Sequence, residues 1–162
     1  MLAEPMQEQG VIRAEMAYAL QMAGMSVKRT LLLFDDRDAY GWVTACNARK
    51  GLMLGYVWKL SEYPWMLIYR MPMEGNPRFL TFEPATGFPG PYEQYVTRGR
   101  VLGRPLFEFL DAGKTVEKSY TAFLSEISAD YRGVETVQVV EGGIVISEQG
   151  SDRTRDIRLK MK

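Results

Sequence analysis

The chain has 162 residues, with 20 Lys+Arg balanced by 20 Asp+Glu, 46% hydrophobic residues and no histidine. That length and composition fit one globular domain able to bury a core, and no apolar run reaches the roughly 18 residues that a membrane helix needs. Zero net charge gives no pull towards nucleic acid, the lone Cys46 rules out an internal disulfide, and the lack of His removes Cys/His zinc sites and Ser-His-Asp or Cys-His nucleophiles.

The first element expected is a helix at about residues 8–24, because Ile12, Met16, Ala19 and Ala23 recur at helical spacing and Gly24 follows as a stop. From Val27 onward the texture changes to short apolar runs rich in β-branched and aromatic residues, cut by turn residues, as a sheet protein reads. The expected strands are Lys28 to Phe34, Gly41 to Cys46, Leu52 to Leu60, Trp65 to Met71, Arg78 to Glu83, Leu106 to Leu110, Val116 to Leu124, Val134 to Val140 and Ile144 to Glu148. Polar turns at 35–38 and 47–51, and a tight Glu141-Gly142-Gly143 hairpin, make the pattern an antiparallel meander. Residues 84–105 hold four of the eight prolines and four glycines, which reads as a long loop. The expected organisation is one mainly β domain over 1–150, followed by a tail, 151–162, with five basic and two acidic residues that reads as solvated or frayed. Glu4 and Glu8 occupy positions where a secretion signal carries positive charge, so a cytoplasmic location is expected.

With no His, acid/base chemistry falls to Asp, Glu, Tyr or Lys. In the run Arg78-Phe79-Leu80-Thr81-Phe82-Glu83-Pro84, proline lacks an N–H and biases its predecessor to extended geometry. Pro84 is therefore expected to end the strand and leave Glu83 projecting beside the long loop. A partly desolvated carboxylate there is a candidate general base, and the alternative is a solvated strand-end Glu. Trp65, Leu67 and Tyr69 share one face of the preceding strand, and Tyr56 and Trp58 share a face of the strand before it. Aromatics with a polar edge serve sugar sites, and equally serve a core. Arg70 lies on the opposite face and could hold a sugar hydroxyl or pair with a carboxylate.

The order of several short stretches resembles the C-terminal part of the galactose mutarotase-like family, which includes aldose 1-epimerases. They are Asp35 to Ala45, Gly55-Tyr56-Val57-Trp58 through Tyr63-Pro64-Trp65, Phe82-Glu83-Pro84-Ala85-Thr86, and Leu110-Asp111-Ala112-Gly113-Lys114-Thr115-Val116 followed by Tyr120-Thr121-Ala122-Phe123. The resemblance implies an antiparallel β-sandwich, here a partial supersandwich, whose concave face binds a hexose-like sugar. It further implies Glu83 as the base, with Trp65, Tyr69, Arg70 and Thr86 as substrate-binding candidates. The histidine that such proteins use to protonate the ring oxygen has no counterpart here, and the resemblance, confined to the C-terminal part of the family, implies a sandwich that lacks its N-terminal half. Anomer exchange needs proton removal and proton delivery together, and losing one partner forfeits a factor of about 10² to 10⁴. Either Tyr69 or Tyr92 could stand in as acid.

The expectation is therefore a carbohydrate-binding domain that is catalytically weak or inactive, with no cofactor or metal. A half-sandwich also leaves apolar faces and edges open, which points to a homo-oligomer. Two other readings fit the same residues: a non-catalytic homo-oligomeric interaction module, and a carrier of a small apolar ligand.

Overall fold

Alternating apolar residues dictate most of the elements. A computed structural model describes residues 15–22, 25–32, 39–73, 76–87, 99–101 and 103–161, with side chains described over 39–68, 81–87, 99–100 and 103–161. The fold is mainly β with antiparallel sheets, and the one helical piece among the described residues is a three-residue 3-10 turn, Ala48–Lys50. Among the described residues no helix is long and apolar enough to cross a membrane. The chain divides into two compact units.

The first unit is built from residues 40–58 and 120–161. Strands β3 (Tyr40–Asn47), β4 (Leu52–Lys59) and β9 (Tyr120–Glu126) form one sheet in the order β3-β4-β9. The polar turn between β3 and β4 is closed by Asn47, whose Oδ1 accepts the Lys50 N–H at 3.1 Å. Strands β10 (Val134–Val140), β11 (Gly143–Glu148) and β12 (Ile157–Lys160) form a second sheet in sequence order. The expected hairpin closes with Val140 opposite Gly143, and Gly142 sits at φ 73°, a conformation that an L side chain resists. Met53, Val57 and Phe123 from the first sheet and Val134, Val137, Ile144 and Ile146 from the second make one hydrophobic core. Part of the basic tail is ordered as β12, because Ile157 and Leu159 alternate with Arg158 and Lys160 and lay the two apolar side chains on that core.

The second unit holds β1 (Glu15–Met22), β2 (Met25–Leu32), β5 (Trp65–Met73) and β6 (Asn76–Ala85), in the order β1-β2-β5-β6. A two-residue-per-strand hairpin, β7 (Arg100–Val101) and β8 (Arg104–Pro105), accompanies it. Residues 15–22 were expected to be helical and are a strand; residues 8–14 of that expected helix lie outside the described residues. The reason is a second period in the same sequence: Met16, Tyr18, Leu20 and Met22 alternate with Glu15, Ala17, Ala19 and Gln21. That period finds a partner, since β1 pairs with β2 without a break from Glu15 opposite Leu32 to Met22 opposite Met25. Hairpin pairing with β2, which is itself paired with β5, supplies inter-strand hydrogen bonds along the whole of β1, and helix propensity alone is a weak prior against it.

Two further expectations are corrected. Pro84 does not end its strand; β6 runs on to Ala85, with Pro84 opposite Met66. It is tolerated because β6 is the outer strand of its sheet, so the missing N–H need not be one that the ladder uses. Leu106 to Leu110 is not a strand: Leu106 is buried, Phe109 and Leu110 are exposed, and the Phe107 and Phe109 rings stack edge-on at 4.8 Å.

Candidate functional site

The register of β5 against β6 fixes the expected sugar site. Trp65 stands opposite Ala85, Leu67 opposite Glu83 and Tyr69 opposite Thr81, which puts all six on one face. At the Trp65 end that face is covered. Trp65 is 1% exposed and clusters with Leu67 and Leu106, flanked by Ala85 and Phe107. Its indole Nε1–H donates to the Pro105 carbonyl at 2.6 Å. The ring therefore presents neither face nor edge to a ligand; it anchors the segment that follows β8.

Glu83 is on the open part of the same face. It lies within β6 and is exposed, and its Oε1 accepts from the Thr81 hydroxyl at 2.9 Å. Thr86 follows β6 at a bend and is half-buried. Arg70 pairs with Leu80 in the ladder; the side chains of Tyr69 and Arg70, and the whole of Tyr92, lie outside the described residues.

A second cluster of polar groups, in the first unit, has a different character. Glu148 ends β11 with its side chain 0% exposed. Its Oε1 accepts the Arg132 backbone N–H at 2.8 Å, with the Arg132 Nε at 3.7 Å, and its Oε2 faces the Arg155 Nε at 2.9 Å. Arg155 also reaches out to Asp130, at 3.0 Å, and to the Ser128 hydroxyl. The Ser128 hydroxyl, and after it Arg155, hold the Asp130 carboxyl below its usual range. Arg132 in turn donates to the Gly150 carbonyl at 3.0 Å. One buried carboxylate thus ties two loops, 127–133 and 149–156, to the end of β11.

Beside this network, burial pushes the Tyr131 hydroxyl upward, and Cys46 and Glu148 add to the effect. Cys46 is half-buried, and burial raises its thiol from 9.0 to about 11 against a lowering hydrogen bond to Thr44. Because the thiolate is the reactive form, two pKa units make Cys46 about a hundredfold less reactive near pH 8 than an ordinary thiol. A thiol-specific reagent should label it slowly in the native protein and rapidly after unfolding; equal rates would contradict its burial.

No group of three or more His, Cys, Asp or Glu side chains among the described residues has the geometry to hold a metal ion. Comparison with known proteins gives no match to a family model, a curated protein or a solved structure.

The third feature is a surface. Along the β4–β9 ladder Leu52 stands opposite Glu126, Leu54 opposite Leu124, Tyr56 opposite Ala122 and Trp58 opposite Tyr120. These residues share the face opposite that of Met53, Val57 and Phe123; it is open towards Leu52 and Leu124, and at its other end Trp58 is buried. On it Leu52 is 42% exposed, Leu54 39%, Tyr120 53% and Leu124 65%. Tyr56 and Tyr120 meet on this face with ring centroids 5.6 Å apart. Reading by period identified each apolar residue here but could not say which face the second sheet would cover.

Proposed function

We propose that this chain is a non-catalytic interaction module whose working surface is the outer face of β4 and β9. The observation that carries the reading is the run of exposed apolar side chains, Leu52, Leu54, Tyr120 and Leu124, on one face of a regular ladder. Contiguous apolar surface of this kind marks association sites in soluble domains, whereas single exposed apolar residues are ordinary. A cytoplasmic location belongs to this reading, since one cysteine forms no internal disulfide.

A second reading, a carbohydrate-binding, mutarotase-like domain with a partial sandwich fold, draws support from the exposed Glu83–Thr81 carboxylate–hydroxyl pair on β6. Such a pair can exchange hydrogen bonds with sugar hydroxyls, without the buried acid and base that anomer exchange requires.

Two measurements divide the readings. The interaction reading predicts that an apolar fluorescent dye binds the native protein, that L54S/L124S weakens this binding with the thermal midpoint unchanged, and that saturation-transfer NMR against a hexose panel gives no signal. Dye binding that ignores both leucines would overturn it. Saturation transfer from a hexose that disappears in Glu83→Gln would install the second reading instead.

A further inference from the structure

We propose that residues 108–118 are a processing site: a clamped surface loop that an endopeptidase with an apolar specificity pocket cuts on the carboxyl side of Phe109 or Leu110.

The loop is fixed at both ends and contains neither helix nor strand between them. Before it, Leu106 is buried against Trp65 and Leu67, its N–H donates to the Gly99 carbonyl at 3.1 Å, and the Pro105 carbonyl accepts from the Trp65 indole. At its end Lys118 donates to the Glu62 backbone carbonyl at 3.0 Å, and the Ser119 N–H donates to the Glu62 carboxylate at 2.9 Å. That N–H, and after it Lys59, hold the Glu62 carboxyl below its usual range, so the anchor is charged at neutral pH. An ion pair of 2.8 Å between Lys118 Nζ and Glu108 closes the neck. Surface loops whose ends meet in this way commonly carry function.

Between the anchors, residues 108–117 are exposed without a break. The next longest exposed runs among the described residues, 128–130, 140–142 and 152–154, have three residues each and are too short to be drawn out. Phe109, at 76%, is the most exposed large apolar side chain among the described residues, and Leu110 and Val116 stand at 59% and 51%. After them the Lys114 N–H donates to the Asp111 carbonyl at 3.0 Å, in a turn that uses Gly113 at φ 76°. A peptidase takes an extended chain through its main-chain groups, as in recognition by strand addition, and side-chain pockets set the specificity. Phe109 and Leu110 offer large apolar side chains at positions where the backbone has no ladder or helix to leave.

Hydrolysis adds water across one amide, leaving a carboxylate on Phe109 or Leu110 and an amino group on the residue that follows. Both anchors belong to the second unit and keep their partners after the cut. The carboxyl-terminal piece keeps β9 to β12; it stays bound through the β4–β9 ladder and through Phe123, which packs with Met53 and Val57. The product is one folded molecule in two pieces.

The test is timed digestion of the full native chain with chymotrypsin, the fragments being identified by mass spectrometry. The bond after Phe109 or Leu110 should be cut within about tenfold of its rate in a peptide of residues 104–122, because little opening is needed. Bonds after the buried Trp58, Trp65 and Phe123 should survive until the protein unfolds. The cut protein should elute as one species in gel filtration and separate into two only in denaturant. F109S/L110S should abolish the cut and, both side chains being exposed, leave the thermal midpoint unchanged. Bonds after Phe109 and Leu110 that last as long as those after Trp58 and Phe123 would overturn the proposal, as would pieces that part without denaturant. Trypsin cleavage after Lys114 with no chymotrypsin cut in the loop would also overturn it, since exposure would then act without the apolar residues.

Discussion

Arg155→Met is expected to destabilise the first unit by about 3 kcal/mol, because it leaves the Glu148 carboxylate buried without its closest cation. Breaking a buried ion pair from one side costs about 3–5 kcal/mol in general, and the lower end applies since Arg132 still faces Oε1. For a unit of this size the thermal midpoint should drop by more than about 10 °C. The expected pattern among neighbouring variants is specific. Asp130→Asn removes an exposed partner of the same arginine and should leave the midpoint nearly unchanged. Glu148→Gln combined with Arg155→Met should recover much of the loss, since the amide oxygen can still accept the Arg132 N–H while no charge stays buried. If Arg155→Met and Asp130→Asn shifted the melt equally, the network would be a surface ornament and not a tie between loops.

The second large effect concerns Gly55. It stands opposite Phe123 in the β4–β9 ladder, and the phenylalanine ring folds over it. A Cβ built on Gly55 would lie 2.7 Å from two ring carbons and closer still to the ring tip, distances that packed atoms do not tolerate. Phe123 is part of the core with Met53, Val57 and Ile146, so its ring cannot swing aside without disturbing them. Gly55→Val should therefore cost about 2–3 kcal/mol through overpacking, although valine has the higher strand propensity. Phe123→Ala should cost about 3–5 kcal/mol by itself. The double variant should be clearly less unstable than the sum, because the valine then enters the space that the ring vacates. Additive losses in chemical denaturation would mean that ring and glycine are not in contact.

The two expectations draw on parts of the molecule with opposite legibility. Strands β3 to β6, β10 and β11 could be read from residue type, since β-branched and aromatic runs alternate between clear turn residues. Strand β1 was hidden because Ile12, Met16, Ala19 and Ala23 fit a helical period while Met16, Tyr18, Leu20 and Met22 fit a strand. Only β2, which accepts the strand, decides between them. Strand β12 was obscured by net charge: its alternation is plain, but five basic residues drew the reading towards solvent. Pro84 misled because proline stops an inner strand and is harmless on an outer one, a distinction that belongs to topology.

The candidate site was less legible than the fold, for the same reason. Trp65 carries the features of a sugar platform until Pro105 and Leu106, some 40 residues on, cover it. Glu148, the most deeply buried charge among the described residues, reads as the end of a strand, and its partners Arg132 and Arg155 stand at no motif spacing from it. The outer face of β4 and β9 is apolar in sequence, but apolar strand residues normally signal a core, and exposure is what turns them into a surface.

The central claim is that the outer face of β4 and β9 is a working surface. The most direct measurement is titration of an apolar fluorescent dye into the native wild-type chain and into L54S/L124S, both folded by circular dichroism. The account predicts clear binding to the wild type and much weaker binding to the variant, because Leu54 and Leu124 stand opposite each other on the exposed face. Equal dye binding by the two folded proteins would contradict it.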